Sequence, residues 1–222
     1  MDMFMKRRFS IKKAKASQLL FKEKAFAQLS LIKTYLSDNI NIAAVDCAFT
    51  KGKEIIASAV AYRREENDAF FVAIRDKIRI PYIPGFLGFR EVPVAAAAVS
   101  ILRDFVDIDL LLVDGHGIAH PRFSGSATHL GLALDIPTIG VAKSLLVYDK
   151  IDEEGNFFYK GILIGKILSY PENARKLYIS PGYKIPLEKA FEIVKNLRKK
   201  PGLPFPLNYA DKISKKVAKD EL

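Results

Sequence analysis

Cysteine is nearly absent from this chain: Cys47 is the only one in 222 residues. A lone thiol excludes an internal disulfide and any structural zinc site built from several thiolates. It suits a reducing compartment such as the cytoplasm. Histidine is almost as scarce, with three residues. No apolar run approaches the ~20 residues of a membrane-spanning helix. The N-terminal text "MKRRFSIKKAK" is basic but lacks the apolar stretch of a secretory signal. The expectation is a soluble cytoplasmic protein with no membrane partner.

Acidic residues are in deficit too. Asp and Glu total 25 against 35 Lys and Arg, for a net charge of +10. Such a balance attracts polyanions, nucleic acid before an acidic membrane, and is silent on fold. Apolar residues, by contrast, make up 50% of the chain. At this length roughly 70% of the unfolded surface can be buried, so no disulfide or metal staple is needed. With no internal repeat, low-complexity stretch or linker, residues 1–222 read as a single domain carrying a basic N-terminal helical extension.

The extension runs into "ASQLLFKEKAFAQLSLIKTYL", where Leu19, Leu20, Phe26, Leu29, Ile32 and Leu36 recur at helical spacing. The period then changes. "NIAAVDCAF", "EIIASAVAYR" and "AFFVAIRDK" read as three strands joined by short polar turns. Prolines and glycines in "IRIPYIPGFLGFREVP" argue against regular structure through that segment. "VAAAAVSILRDF" and "SATHLGLALD" read as helices separated by a buried strand, "DLLLVDG", and "PTIGVAKS" as a further strand. A hairpin-like "FFYKGILIGKIL", a short strand "KLYISPG" and two helices, "LEKAFEIVKNLRKK" and "NYADKISKKVAKD", close the chain. This order describes an α/β protein: a mixed sheet, an antiparallel meander followed by parallel crossovers, flanked by helices.

Three carboxylates have unusual positions. Asp46 interrupts an apolar strand between Val45 and Cys47, where a charge is costly unless compensated. Asp114 ends the later buried strand, and Glu91 lies where the irregular loop enters the alanine-rich helix. Singly, each has a structural explanation: a bulge for Asp46, a helix N-terminal charge for Glu91, a strand-end turn for Asp114. Together they say more. In a mixed sheet of this order the first strand and the first post-crossover strand can be central neighbours, and Asp46 and Asp114 then project to one edge. Convergent carboxylates without thiolates suit a hard cation, Mg²⁺ with Mn²⁺ as a substitute. An acidic metal pocket in a basic protein points to phosphodiester chemistry. By fold-level analogy this is the arrangement of ribonuclease H-like nucleases.

All three histidines, His116, His120 and His129, fall within "DGHGIAHPRFSGSATHLG". His116 and His120 have the i, i+4 spacing of a helical zinc pair, but Gly115, Gly117 and Pro121 oppose a helix there. The glycine pattern after the strand lacks the third glycine of a dinucleotide fingerprint. No nucleophile elbow of the G-x-S-x-G type occurs.

"VDCAFT", "PYIPGFLGFRE", "DGHGIAHPR", "THLG", "IPTIGVAKS" and "YISPGYKI" closely resemble, in order, the motifs of endonuclease V, a family of deoxyinosine-specific repair nucleases. The resemblance runs from about residue 42 to about residue 211. It implies a ribonuclease H-like fold and Mg²⁺-dependent cleavage of the second phosphodiester bond 3′ to deaminated adenine, leaving a 3′-hydroxyl and a 5′-phosphate. By motif, Asp46, Glu91 and Asp114 match catalytic, metal-binding carboxylates, Lys143 the active-site lysine, and His120 and Arg122 polar residues beside the metal, with His120 expected as a catalytic residue that donates to a phosphate or orients the water. Pro81, Tyr82, Ile83 and Pro84 match a strand-separating wedge, followed by Leu87 and by Arg90, which directly precedes Glu91. The family's C-terminal arginine region is replaced here by Asn208 and Tyr209, which leaves Asp211 as the candidate auxiliary metal ligand.

The chemistry needs these residue types. Reading a base requires taking it out of the stack, at a cost of a few kcal/mol that is lowest at a weakened inosine pair. Prolines stiffen the wedge, and Tyr82 can stack in the vacated space. Gly85, Gly115, Gly117 and Gly125 would let a flipped base approach backbone N–H groups able to read its O6 acceptor. The expected partner is deoxyinosine-containing DNA, including single-stranded or mismatched DNA, and the protein is expected to act as a monomer. Two alternatives stand beside this reading: an inosine-specific ribonuclease, and a non-catalytic nucleic-acid-binding protein of the same fold.

Overall fold

The computed structural model describes residues 9–31, 40–63, 68–169, 176–199 and 201–222. Three strands come first after the N-terminal helix α1 (Ile11–Leu31): β1 (Ile42–Phe49), β2 (Glu54–Arg63) and β3 (Asp68–Lys77). Then come α2 (Leu87–Leu102), β4 (Leu110–Asp114), α3 (Ser126–Leu134) and β5 (Thr138–Ala142). The C-terminal part holds β6 (Lys150–Ile151), β7 (Asn156–Tyr159), β8 (Ile162–Leu168), β9 (Leu177–Tyr183), α4 (Leu187–Leu197) and α5 (Phe205–Ala218). The described strands form one sheet in the order β3-β2-β1-β4-β5-β9-β8-β7-β6. β1–β2–β3 is an antiparallel meander, β1–β4–β5 is parallel, and β9 returns antiparallel to β5. The mixed, helix-flanked sheet read from the sequence is therefore present, and its fold is ribonuclease H-like.

Strand periodicity sorts the core into two faces. Ala43, Val45, Leu111 and Val113 pack against α2 and α3. Ala44, Leu112, Ile139 and Val141 pack on the other face against α4 and α5. β1 runs beside β4 with Val45 opposite Val113. One residue further on, Asp46 and Asp114 fall together on the α5 face, as the expected adjacency of the two strands requires.

The structure departs from the sequence reading at two elements. α2 begins at Leu87 and runs through Gly88 and Pro93, so Arg90 and Glu91 lie on a helix and not on an irregular loop. Burial of Val92, Val94, Ala95, Ala98 and Val99 on the sheet overrides the local cost of a proline and a glycine. In α1, Leu19 and Leu20 are exposed, while Ala14, Gln18 and Ala25 form the buried stripe. Small side chains let this helix lie close to its support. The Ile32 and Leu36 positions, and residues 1–8 of the basic extension, lie outside the described residues.

Candidate active site

Asp46, Asp114 and Asp211 converge at one place on the α5 face, each offering a carboxylate oxygen within 4.8 Å of the others. Asp46 is buried in mid-strand, Asp114 is the last residue of β4, and Asp211 reaches in from α5. Lys143, just past β5, donates to Asp114 Oδ2 at 2.5 Å and to Asp211 Oδ1 at 3.1 Å. Lys215, one turn along α5, holds Asp211 Oδ2 at 2.6 Å. Ser214 Oγ, fully buried, donates to Asp46 Oδ2 at 2.5 Å.

Glu91 approaches from the opposite side. It lines a small cavity with Asp46, Cys47, Val113, Asp114 and Ser126, and its Oε2 accepts from Ser126 Oγ at 3.1 Å. Its oxygens are not among the three that cluster. Glu91 thus borders the cavity on the α2 face while the aspartates gather on the α5 face.

The electrostatics are unfavourable to the ionised acids. Burial, then the neighbouring Asp114, pushes Asp46 up to about 7 despite the Ser214 hydrogen bond. Burial, opposed by the Ser126 hydroxyl and reinforced by Asp46 and Asp114, raises Glu91 to about 8. Burial also lifts the Cys47 thiol well above its usual range, so at neutral pH it is a neutral filler. Burial works against the Lys143 ammonium, but the contacts with Asp114 and Asp211 outweigh it and its pKa rises. Asp211 is pushed up by burial, yet Lys215 and Lys143 bring it below the ordinary carboxylate range. A crowd of oxygen donors that resists its own ionisation fits a metal ion: a divalent cation would relieve the repulsion that burial aggravates.

The other expected residues sit elsewhere. Tyr82 is 65% exposed at the tip of the 81–85 loop, flanked by exposed Pro81 and Pro84 and half-buried Ile83. Leu87 opens α2. The Arg90 guanidinium lies 4.2 Å from the centre of the Phe49 ring, and its Nε is buried without a partner. His120, expected to serve a phosphate or the water, is instead 4% exposed with both ring nitrogens taken, by the Gly85 carbonyl and by the Arg122 and Ser124 N–H groups. Arg122 donates to the Gly85 carbonyl at 2.6 Å. Gly117 and Gly125 face backbone: a Cβ on Gly117 would lie 2.0 Å from the Pro181 carbonyl oxygen, and one on Gly125 would lie 2.2 Å from that of His116. Gly115 is roomier, with Ser126 Cβ at 3.6 Å. Burial lowers His116 to about 4, only partly countered by Asp114. Sequence reasoning missed Ser126, Ser214 and Gln18. Only Ser214 left a trace, three residues beyond Asp211 and so on the same helical face.

A profile of the endonuclease V family matches residues 25–212. The chain belongs to the endonuclease V family. It is 34% identical over 220 residues to endonuclease V of Desulfurococcus amylolyticus, covering 96% of this chain and 98% of the relative. It is 38% identical over 204 residues to that of Sulfolobus acidocaldarius, covering 87% and 96%. Among solved structures, the catalytic domain of human endonuclease V superposes with a TM-score of 0.82 at 28% identity, over 95% of this chain and 96% of that one. Endonuclease V of Ciona intestinalis, in complex with a 24mer DNA containing an inosine followed by a ribo-adenosine, superposes with a TM-score of 0.81 at 25% identity, over 95% and 98%. As an endonuclease V the chain is a nuclease with a buried acidic cluster suited to a metal. No helix among the described residues is long and apolar enough to cross a membrane.

Proposed function

We propose that this endonuclease V hydrolyses the second phosphodiester bond 3′ to deoxyinosine in DNA, with Mg²⁺ as its working cation and a 3′-hydroxyl and 5′-phosphate as products. The observation that carries the reading is the convergence of Asp46, Asp114 and Asp211 on an endonuclease V scaffold. The binding of inosine-containing DNA by the Ciona relative supports the choice of substrate.

Asp46, Asp114 and Asp211 hold the cation through hard oxygen donors, for which Mg²⁺ and Mn²⁺ are the matching ions. A divalent ion bound there supplies Lewis-acid polarisation of the phosphate and a more acidic water. Glu91, fixed by Ser126, orients the attacking water and accepts its proton at a carboxylate oxygen. Lys143 offsets charge that develops on the phosphate. Arg90 has donors left for the backbone of the strand. Tyr82 enters the stack where the inosine leaves it, and Pro81 and Pro84 limit the entropy lost on insertion. The N–H groups of Gly115, Gly117 and Gly125, expected from the sequence to read the base, instead donate to the Val141 carbonyl, the Ser180 hydroxyl and the Gly117 carbonyl, so they have no donor left for it.

The test is to incubate the purified protein with Mg²⁺ and an end-labelled duplex carrying one deoxyinosine, beside a matched adenine duplex and an Asp46→Ala variant. A Mg²⁺-dependent nick one nucleotide beyond the lesion, missing from both controls, is expected. Inosine binding without a nick would convert the reading to a sensor. Cleavage of inosine RNA in preference to DNA would move the substrate to RNA, since 2′-hydroxyl discrimination rests on channel geometry.

A further inference from the structure

We propose that Gln18 of α1 is a positioning residue for the 81–85 loop, which makes the first helix part of the base-recognition apparatus; the proposal rests on the reading of that loop as the strand-separating wedge. Gln18 precedes the segment matched by the family profile, residues 25–212. It is 2% exposed. A buried amide at a helix-packing position costs free energy unless its donors and acceptor are all used. Here they are. Its Nε2 donates to the Gly85 carbonyl at 3.0 Å and to the Ser124 carbonyl at 3.4 Å. Its Oε1 accepts from Arg122 Nε at 2.5 Å.

The Gly85 carbonyl is the hub. Arg122 Nη2 donates to it at 2.6 Å, and His120 Nε2 lies 3.1 Å away. The backbone N–H groups of Arg122 and Ser124 both point at His120 Nδ1, at 3.1 and 3.4 Å. Nδ1 therefore carries no proton, and Nε2 is the ring donor to Gly85. Three donors from three side chains thus hold one carbonyl at the end of the loop. Gly85 adopts φ +76, and a Cβ there would come 2.8 Å from Arg122 Nη2, so the residue is both bent and enclosed. The next residue is fixed as well: the Arg122 guanidinium lies 4.5 Å from the centre of the Phe86 ring, and Phe86 packs edge-on against Phe9 at 6.0 Å.

At the other end of the loop the picture reverses. Tyr82 is exposed, and the loop's own tie is the Phe86 N–H to Ile83 carbonyl bond at 3.0 Å. Held at Gly85 and stiffened by Pro81 and Pro84, Tyr82 is presented on a short rigid arm. Without Gln18 the Arg122 Nε and the Ser124 carbonyl lose their partner, and the arm's anchor loosens. The stretch beside β4 that begins at Asp114 also carries His120 and Arg122, but Gln18 touches no carboxylate of the candidate centre. Its loss should therefore weaken lesion recognition and spare the chemical step.

The chain has no tryptophan, so Tyr82→Trp installs a single tryptophan at the loop tip, excited selectively over the remaining tyrosines at the red edge of absorption. In that background Gln18→Leu, close in volume and without hydrogen bonds, should lower the indole anisotropy of the free protein. In the otherwise native chain it should raise KM for the inosine duplex by about tenfold, the size of one lost buried hydrogen bond, with kcat within about twofold. Gln18→Glu keeps the acceptor for Arg122 but not the donors to Gly85 and Ser124, and should fall between. If the leucine variant loses its cooperative melt, the glutamate variant decides alone. Unchanged anisotropy with unchanged KM overturns the proposal, as does a fall in kcat at constant KM. Failure of the native chain to prefer inosine would instead overturn the reading of function on which this one rests.

Discussion

Around Asp46, four acidic side chains crowd together, and two of them resist ionisation although each has a donor; around Gly85, the Gln18, His120 and Arg122 groups that hold the loop carbonyl are uncharged or cationic donors with no such conflict. At the first place burial and like charge raise Asp46 to about 7 and Glu91 to about 8. At the second, burial together with the nearby Arg122 charge lowers His120 to about 4, so it stays neutral and donates from one fixed nitrogen. The carboxylate cluster is suited to a cation that would relieve its repulsion. The loop anchor is complete in the protein alone. The contrast shows how one short stretch, Asp114 to Arg122, serves two demands. Under the proposed function, the centre suited to an ion keeps electrostatic strain, whereas the loop that would present Tyr82 is held by hydrogen bonds without it.

The sharpest way to break this contrast is Asp46→Asn. Nicking should fall by at least about 10³-fold, since a cation donor is lost. In EDTA the same variant should melt higher than the native chain by a few degrees, because the repulsion with Asp114 goes with the charge. A lower melting temperature would mean that Asp46 stabilises the cation-free fold. Gly117→Ala attacks both regions at once. Its Cβ would lie 2.0 Å from the Pro181 carbonyl oxygen, and a backbone shift there should cost more than about 3 kcal/mol in urea unfolding. A native-like midpoint would show that the strand ends can part.

The pH dependence of stability separates the two regions. Burial depresses His116, His120 and His129 to about 4, so the unfolded chain binds their protons first. Their contribution is present above about 6.5 and is lost as the pH falls toward 4. Asp46 and Glu91 have the opposite sign. Their raised pKa values favour the folded state at low pH, and that contribution disappears as the pH rises through 7 and 8. In EDTA the melting temperature should therefore fall between about pH 6.5, where the histidine contribution is complete, and about pH 8, and level off above it, and Mg²⁺ should remove that decline without altering the acid limb. A decline that persists in saturating Mg²⁺ would place its origin outside the carboxylates. The smallest effect expected is that of Ser214→Ala. Losing the hydroxyl that orients Asp46 should weaken Mn²⁺ binding by about tenfold, read by titration of the free protein. Equal affinity would reduce Ser214 to a packing residue.

Much of the fold was legible because it rests on local periodicity. The alternation through "NIAAVDCAF" and the apolar run "DLLLVDG" determine which residues face which layer, and with the strand order they bring Asp46 next to Asp114. Asp211 was visible only as a weak candidate. Its approach depends on α5 crossing the end of β1, a contact between residues far apart in the chain. The start of α2 at Leu87 was illegible, because Gly88 and Pro93 argue against a helix and only burial on the sheet reverses that. Gln18 was hidden by its neighbours: Leu19 and Leu20 look like the core face, yet the close packing of Ala14 and Ala25 turns them outward.

By itself, then, the sequence determined the strand periods, the basic surface, the thiol-poor chemistry and the motif residues of an endonuclease V. The tertiary structure alone decided the rest: that Glu91 stands across the cavity from the clustered aspartates, that Ser214 and Lys143 partner them, and that His120 and Arg122 hold Gly85. Periodicity is set by backbone geometry within a few residues. Hydrogen-bond partners and shifted pKa values depend on which distant groups share a buried volume, and that exists only once the chain has folded.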